Sequence, residues 1–88
     1  MTRDEIFGAL KENMRAIISA AKSAEILETK SLVNDFGADS LEIVEVVSRT
    51  MKQLRLKVPR TELADALTIG DLVSLFEQAA IRKDRPLT

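Results

Sequence analysis

The chain has 88 residues, enough for one small domain whose core must be thin, because a chain this short buries only about 60–65% of its unfolded surface. It contains no cysteine, histidine, tryptophan or tyrosine and only three phenylalanines, which removes disulfides, thiol chemistry, the commonest general base and metal ligand, and base stacking on nucleic acid. Thirteen basic residues against fourteen acidic ones leave a net charge of −1, so no overall field favours DNA or a membrane surface.

At the N-terminus, Thr2 and Glu5 have capping-box spacing. Ile6, Phe7, Leu10, Met14, Ile17, Ile18 and Ala21 then recur at steps of three and four. This predicts an amphipathic first helix over about Asp4 to Ser19, its apolar stripe turned to a core. Gly8 lies inside it and weakens it. Nothing from Met1 to Phe7 reads as a secretory signal, and no apolar run reaches membrane-spanning length. These features suggest a soluble, cytoplasmic and free-standing protein.

Lys22 to Ala38 is a long connection. Such a length is unusual in a compact domain unless the segment is functional or contains a turn of helix. Ile26, Leu27, Leu32 and Phe36 are its apolar points and read as pegs holding it to the bundle. Gly37 reads as a turn residue with positive φ, or as room for a close backbone approach.

Helix two is predicted from Ser40 to about Leu54. Asp39 stands three residues before Glu42, so Asp39 is the expected N-cap and Ser40 the first helical residue. The Ser40 hydroxyl is then exposed at a helix start, beside unpaired backbone N–H groups that favour an anion such as a phosphate ester. The plainer reading is an ordinary capped helix with a small residue in its first turn. Ile43, Val46, Val47, Thr50 and Leu54 share one face, with Met51 and Val44 at its margin. Leu41 falls instead among Glu45, Ser48 and Lys52, on the side facing water. A lone exposed leucine needs no explanation, but one beside Ser40 and Val44 suits contact with a partner.

Charge is segregated along this region. Between Lys30 and Arg49 the only charged residues are Asp35, Asp39, Glu42 and Glu45; Arg49, Lys52, Arg55, Lys57 and Arg60 follow with no acid among them. Complementarity to the helix dipole accounts for most of this pattern but not for Lys57 and Arg60, which lie past the helix. Val58-Pro59 breaks the chain, and a short third helix is predicted over about Thr61 to Ala66, with Leu63 and Ala66 inward. Thr68, with Asp71 at the matching position, starts a last helix whose inner face carries Ile69, Leu72, Val73, Phe76 and Ala80. That helix is expected to end near Ile81, with a frayed tail over 82–88. No stretch alternates like a strand, so the expectation is an all-α fold. It is a single domain over 1–88, a small bundle of three main helices plus one short helix with a long loop between helices one and two.

Asp35-Phe36-Gly37-Ala38-Asp39-Ser40-Leu41 resembles the modification-site motif of the acyl carrier proteins, D-L-G-x-D-S-L. The resemblance runs on through Leu41–Val47, Val58-Pro59 and Thr68–Val73, about three quarters of the chain. Phe36 stands where leucine is usual. The resemblance implies an acyl-carrier-like bundle and a carrier, not a catalyst. Ser40 would bear a covalent 4′-phosphopantetheine arm, flanked by Asp39 and Leu41. The arm would come from coenzyme A through a phosphopantetheinyl transferase and Mg²⁺, and its terminal thiol would hold acyl groups as thioesters. Leu41, Val44, Glu45, Ser48, Arg49 and Lys52 would form the partner surface. No residue is assigned a catalytic or metal-binding role.

Peptidyl carriers generally show G-G-x-S ahead of the site, whereas Gly37-Ala38-Asp39-Ser40 points to acyl cargo. The basic band and the small net charge depart from fatty-acid carriers and lean toward polyketide ones. Such carriers serve acyltransferases, ketosynthases or, in β-branching, a hydroxymethylglutaryl-synthase-like enzyme that takes an acetyl unit. A monomer is expected, with no nucleic acid or membrane as partner. A fatty-acid carrier, a peptidyl carrier and an unmodified helical interaction module are the alternatives.

Overall fold

The computed structural model describes residues 1–84, and these form four α-helices and one 3₁₀ turn. The helices are α1 (Arg3–Ile17), α2 (Ser40–Leu54), α3 (Arg60–Leu63) and α4 (Ile69–Asp84). No strand occurs among the described residues, and none of their helices is long and apolar enough to cross a membrane. The all-α bundle of three main helices and one short one is therefore as expected.

The capping box at Thr2 forms in both directions. Glu5 N–H donates to Thr2 Oγ1 at 3.2 Å, and Thr2 N–H donates to Glu5 Oε1 at 3.3 Å. With Thr2 as cap, α1 begins at Arg3, one residue before the expected start. It also stops at Ile17, short of Ser19, because Ile18 adopts an extended backbone and Ser19–Ala21 form a 3₁₀ turn. That break tucks both Ile18 and Ala21 into the core.

α1 packs against both α2 and α4. Ile6, Leu10 and Met14 from α1, Val46 and Val47 from α2, and Ile69, Val73 and Phe76 from α4 are all fully buried or nearly so. One polar seam crosses the α1–α2 contact. Thr50 is buried, its hydroxyl donates to the Val46 carbonyl at 2.7 Å, and it accepts from Asn13 Nδ2 at 3.0 Å. A buried hydroxyl with both partners in place is satisfied, and the pairing favours one register of the two helices.

The long loop is tied down in two places. Its residues Glu28 and Lys30 lend their carbonyls to the first N–H groups of α4, Gly70 at 2.8 Å and Ile69 at 2.9 Å. These are orphan donors of a helix start, so loop and helix complete each other. A Cβ on Gly70 would come 3.1 Å from the Glu28 carbonyl oxygen, and the close approach explains the glycine. The Arg3 guanidinium clasps the same junction. It pairs with the Glu28 carboxylate, with Glu77 Oε1 at 2.6 Å, and with the Gly70 carbonyl at 3.2 Å.

Ile26, Leu32 and Phe36 are buried as expected pegs. Leu27 is not a peg: it is 43% exposed. The segment around Ile26 is not helical, so two adjacent side chains do not share a face, and Ile26 takes the inward place. Gly37 has φ +65°, with open space where a Cβ would lie. Its requirement is thus conformational rather than steric. Gly37→Ala is expected to destabilise the protein by about 1 kcal/mol, the left-handed penalty less the gain from a stiffer unfolded chain. A thermal melt checks this: the midpoint should fall by about 4–8 °C.

α3 is shorter than the sequence suggests. It spans Arg60–Leu63, where Thr61 to Ala66 was expected, and continues only as turns through Ala66. Pro59 offers it no side-chain cap, and it buries no residue fully; Leu63 and Ala66 are half-buried. α4 runs three residues past the expected end at Ile81, to Asp84. Arg82 and Lys83 suit the negative end of its dipole. Lys83 Nζ also donates to the Arg55 carbonyl at 2.8 Å. The remainder of the expected frayed tail, 85–88, lies outside the described residues.

Candidate functional site

The loop entering α2 alternates between anchor and display. Phe36 and Ala38 are buried, while Gly37, Asp39 and Ser40 are exposed. Phe36 fills the anchoring place expected of it, with Lys30 Nζ 5.9 Å from its ring centroid. The turn behind it closes through Gly37 N–H on the Val33 carbonyl at 3.0 Å and Ala38 N–H on the Leu32 carbonyl at 2.9 Å. The chain therefore reaches Asp39 on a fixed course.

Asp39 is the N-cap of α2 in extended backbone. Its Oδ1 accepts the Glu42 N–H at 2.8 Å, and Glu42 Oε1 accepts the Asp39 N–H at 3.1 Å. The first intrahelical bond runs from Ile43 N–H to the Asp39 carbonyl at 3.0 Å. Of the four N–H groups at the helix start that lack an intrahelical partner, those of Asp39 and Glu42 are thus used by the capping box. Those of Ser40 and Leu41 belong to the orphan positions of the first turn and point toward the positive end of the dipole. A phosphate ester on the exposed Ser40 hydroxyl fits this setting. With no histidine or cysteine anywhere in the chain, nothing activates Ser40 as a hydrolase nucleophile.

Most of the residues expected on the partner surface are exposed. Leu41 is 80% exposed and Val44 45%, and Glu45, Arg49 and Lys52 are exposed too. Glu45 and Arg49 form an ion pair across one helical turn at 3.3 Å. The pair is solvent-exposed, so it adds little stability but holds both charges on the face beside Leu41. Ser48 departs from its expected place on the watery side. It is half-buried and lines a groove.

That groove, about 320 Å³, runs from Ser40 along α2. Its α2 wall includes Ile43, Val44 and Met51, and the opposite wall is made by Arg60, Leu63 and Ala64. A second cavity of about 230 Å³ lies beyond Ile43 and Leu63, reached by Val33 and Leu67. Helix periodicity does not bring Arg60, Ala64, Val33 or Leu67 to the site. α3 is too short to show a period, and only the fold of the loop and of α3 against α2 places them there.

The arrangement is a helical bundle that displays an exposed serine at a helix start, beside a mostly apolar groove. The family model for the phosphopantetheine attachment site matches residues 10–76. The chain is 32% identical over 77 residues to the acyl carrier protein of Thermotoga maritima, covering 88% of this chain and 94% of that one. It is 31% identical to the meromycolate extension acyl carrier protein of Mycolicibacterium smegmatis, covering 88% and 77% of the two. Among solved structures, it superimposes with a TM-score of 0.76 and 34% identity on a chain of the curacin biosynthetic pathway HMG synthase in complex with acetyl donor-ACP. That match covers 91% of this chain and 99% of the other. The chain belongs to the acyl carrier protein family, whose members are carriers and not catalysts.

Proposed function

We propose that Ser40 is the attachment point of the phosphopantetheine arm and that the protein carries acyl groups for a polyketide pathway, as an acetyl donor in β-branching. One observation carries the first part. Ser40 is an exposed hydroxyl at the start of α2, inside the matched region, with the orphan N–H groups of the first turn beside it. When bound, the arm supplies a terminal thiol that holds the cargo as a thioester. The chain's own residues do the rest. Asp39 and Glu42 fix the helix start, the N-terminal dipole favours the phosphate, and Leu41 and Val44 give transferase and partner enzymes an apolar foothold.

The pathway reading is supported by the likeness to a chain in the curacin HMG synthase complex and by the charge pattern. Arg49, Lys52, Arg55, Lys57 and Arg60 are all exposed, giving a band that suits a partner with an acidic dock. The meromycolate and Thermotoga relatives keep fatty-acid elongation as the alternative. Holo protein loaded with acetyl or malonyl groups, offered to both enzyme sets, separates the two. Turnover by an HMG-synthase-like enzyme or a polyketide ketosynthase is expected. Efficient use by fatty-acid elongation enzymes alone would reject the pathway and leave the carrier role standing.

The docking role of Leu41 has its own test. Leu41→Ala should lower partner kcat/KM by about tenfold or more, the effect of losing an interface anchor. Its melting temperature should hardly move, since exposed substitutions stay within about 0.5 kcal/mol. Unchanged kcat/KM per folded molecule would remove Leu41 from the dock.

A further inference from the structure

The end of the bundle opposite Ser40 carries a second concave surface. Two shallow grooves of about 380 and 530 Å³ share Arg55, Leu56 and Lys57 as lining. Ser48, Met51 and Lys52 extend the lining along α2, where Ser48 and Met51 are shared with the groove below Ser40, and Ala79, Arg82 and Lys83 extend it onto α4. Among the described residues, every charged residue in this lining is basic. Its floor is apolar, with Leu56 and Ala79 both buried. Lys83 is held by the Arg55 carbonyl at 2.8 Å and Arg82 faces Glu62 at 3.5 Å. Among the described residues, Lys52, Arg55 and Lys57 make no ion pair. Dipole neutralisation explains Lys52, Arg82 and Lys83 in the last turns of their helices. It does not call for Lys57, which lies past the cap of α2 at Arg55.

The geometry points to this groove as a docking site for an acidic, extended protein segment that seats one apolar side chain on Leu56 and Ala79 between the cations. Nucleic acid would want stacking platforms, and the groove offers none: the chain has no tryptophan or tyrosine, and Phe7, Phe36 and Phe76 all lie outside the lining. The groove stands about 20 Å along α2 from Ser40, since the helix has 15 residues. A partner tethered there leaves the serine and its arm free, and raises the local concentration of its active site around the cargo. This rests on the proposed function for its acidic partner and deepens it: Lys52, Arg55 and Lys57 belong to the basic band offered there, and the groove is where that partner's acidic segment would lie, without using Ser40 or the arm.

The test uses the full chain in holo form, followed by backbone amide NMR during titration with a peptide of roughly eight glutamates around one central leucine. Shifts are expected at Arg55, Leu56, Lys57, Ala79 and Lys83, with those at Ser40–Val44 unmoved. Binding should fall at least tenfold as ionic strength rises from about 0.01 M to about 1 M, where the Debye length shrinks from about 30 Å to about 3 Å. The exposed double variant Arg55→Gln, Lys57→Gln should bind at least tenfold more weakly, with its melting temperature lowered by no more than about 8 °C by the cation lost at the end of α2. Ser40→Ala, which lacks any attachment point at that position, should bind as the parent does. Shifts centred on the start of α2, equal binding by a glutamine version of the peptide, or tighter binding to phosphatidylserine vesicles or a single-stranded oligonucleotide would each overturn the proposal.

Discussion

Ser40→Ala is expected to abolish loading altogether. Incubated with coenzyme A, Mg²⁺ and a promiscuous phosphopantetheinyl transferase, the variant should gain no phosphopantetheine and accept no acyl group. On the proposed assignment the loss is absolute, because the Ser40 hydroxyl oxygen would bond the arm and alanine has no substitute. The fold should not follow. Ser40 is exposed, and the cap is made by Asp39 and Glu42, whose reciprocal bonds of 2.8 and 3.1 Å do not use the serine side chain. Helical content by circular dichroism should be unchanged, and stability should stay within about 0.5 kcal/mol of the parent. An unfolded variant would mean that Ser40 supports the helix start in a way its exposure does not suggest.

Phe76→Ala should do the reverse. Phe76 is the largest of the fully buried side chains and sits on α4 facing the core. Emptying such a site costs about 3–5 kcal/mol. The whole stability of a chain this size is about 4–13 kcal/mol. The substitution therefore removes a large share of it. A thermal melt should show the midpoint lowered by about 15–30 °C. Modification by the transferase should fall only in proportion to the unfolded fraction, since Ser40 and its cap are untouched. A midpoint shift below about 5 °C would mean that the core collapses around the gap and is less well packed than the burial of Ile6, Leu10 and Val73 implies.

The two variants show how unevenly the sequence discloses this molecule. Features set by one helix and its neighbours in sequence are legible. The inner faces of α2 and α4 and all three capping pairs, at Thr2, Asp39 and Thr68, appear where period and spacing put them. Thr68 even has Asp71 held below the usual carboxylate range, chiefly by the backbone N–H groups of Thr68 and Leu67. Gly37 is legible for the same local reason, through its φ of +65°. What depends on chain parts far apart is not. Leu27 and Ile26 look alike in sequence, and only the path of the loop sends one inward. The clasp of Arg3 on Glu28 and Glu77 has no spacing to betray it. Ser48 shifts from the watery side to a groove wall because α3, four residues long, closes over that side of α2. The candidate site is legible in a local signature, the Asp39–Glu42 capping pair together with the Asp35–Leu41 motif. Its surroundings, Arg60, Leu63 and Ala64, come from the tertiary fold.

The central claim is that Ser40 is where the arm attaches, and intact mass followed by fragmentation of the modified protein tests it most directly. After treatment with the transferase, Mg²⁺ and coenzyme A, the account predicts a single phosphopantetheine addition, localised to the peptide containing Asp39-Ser40-Leu41 and assigned to Ser40. No addition to the folded protein, or an addition on any other serine or threonine, would contradict it.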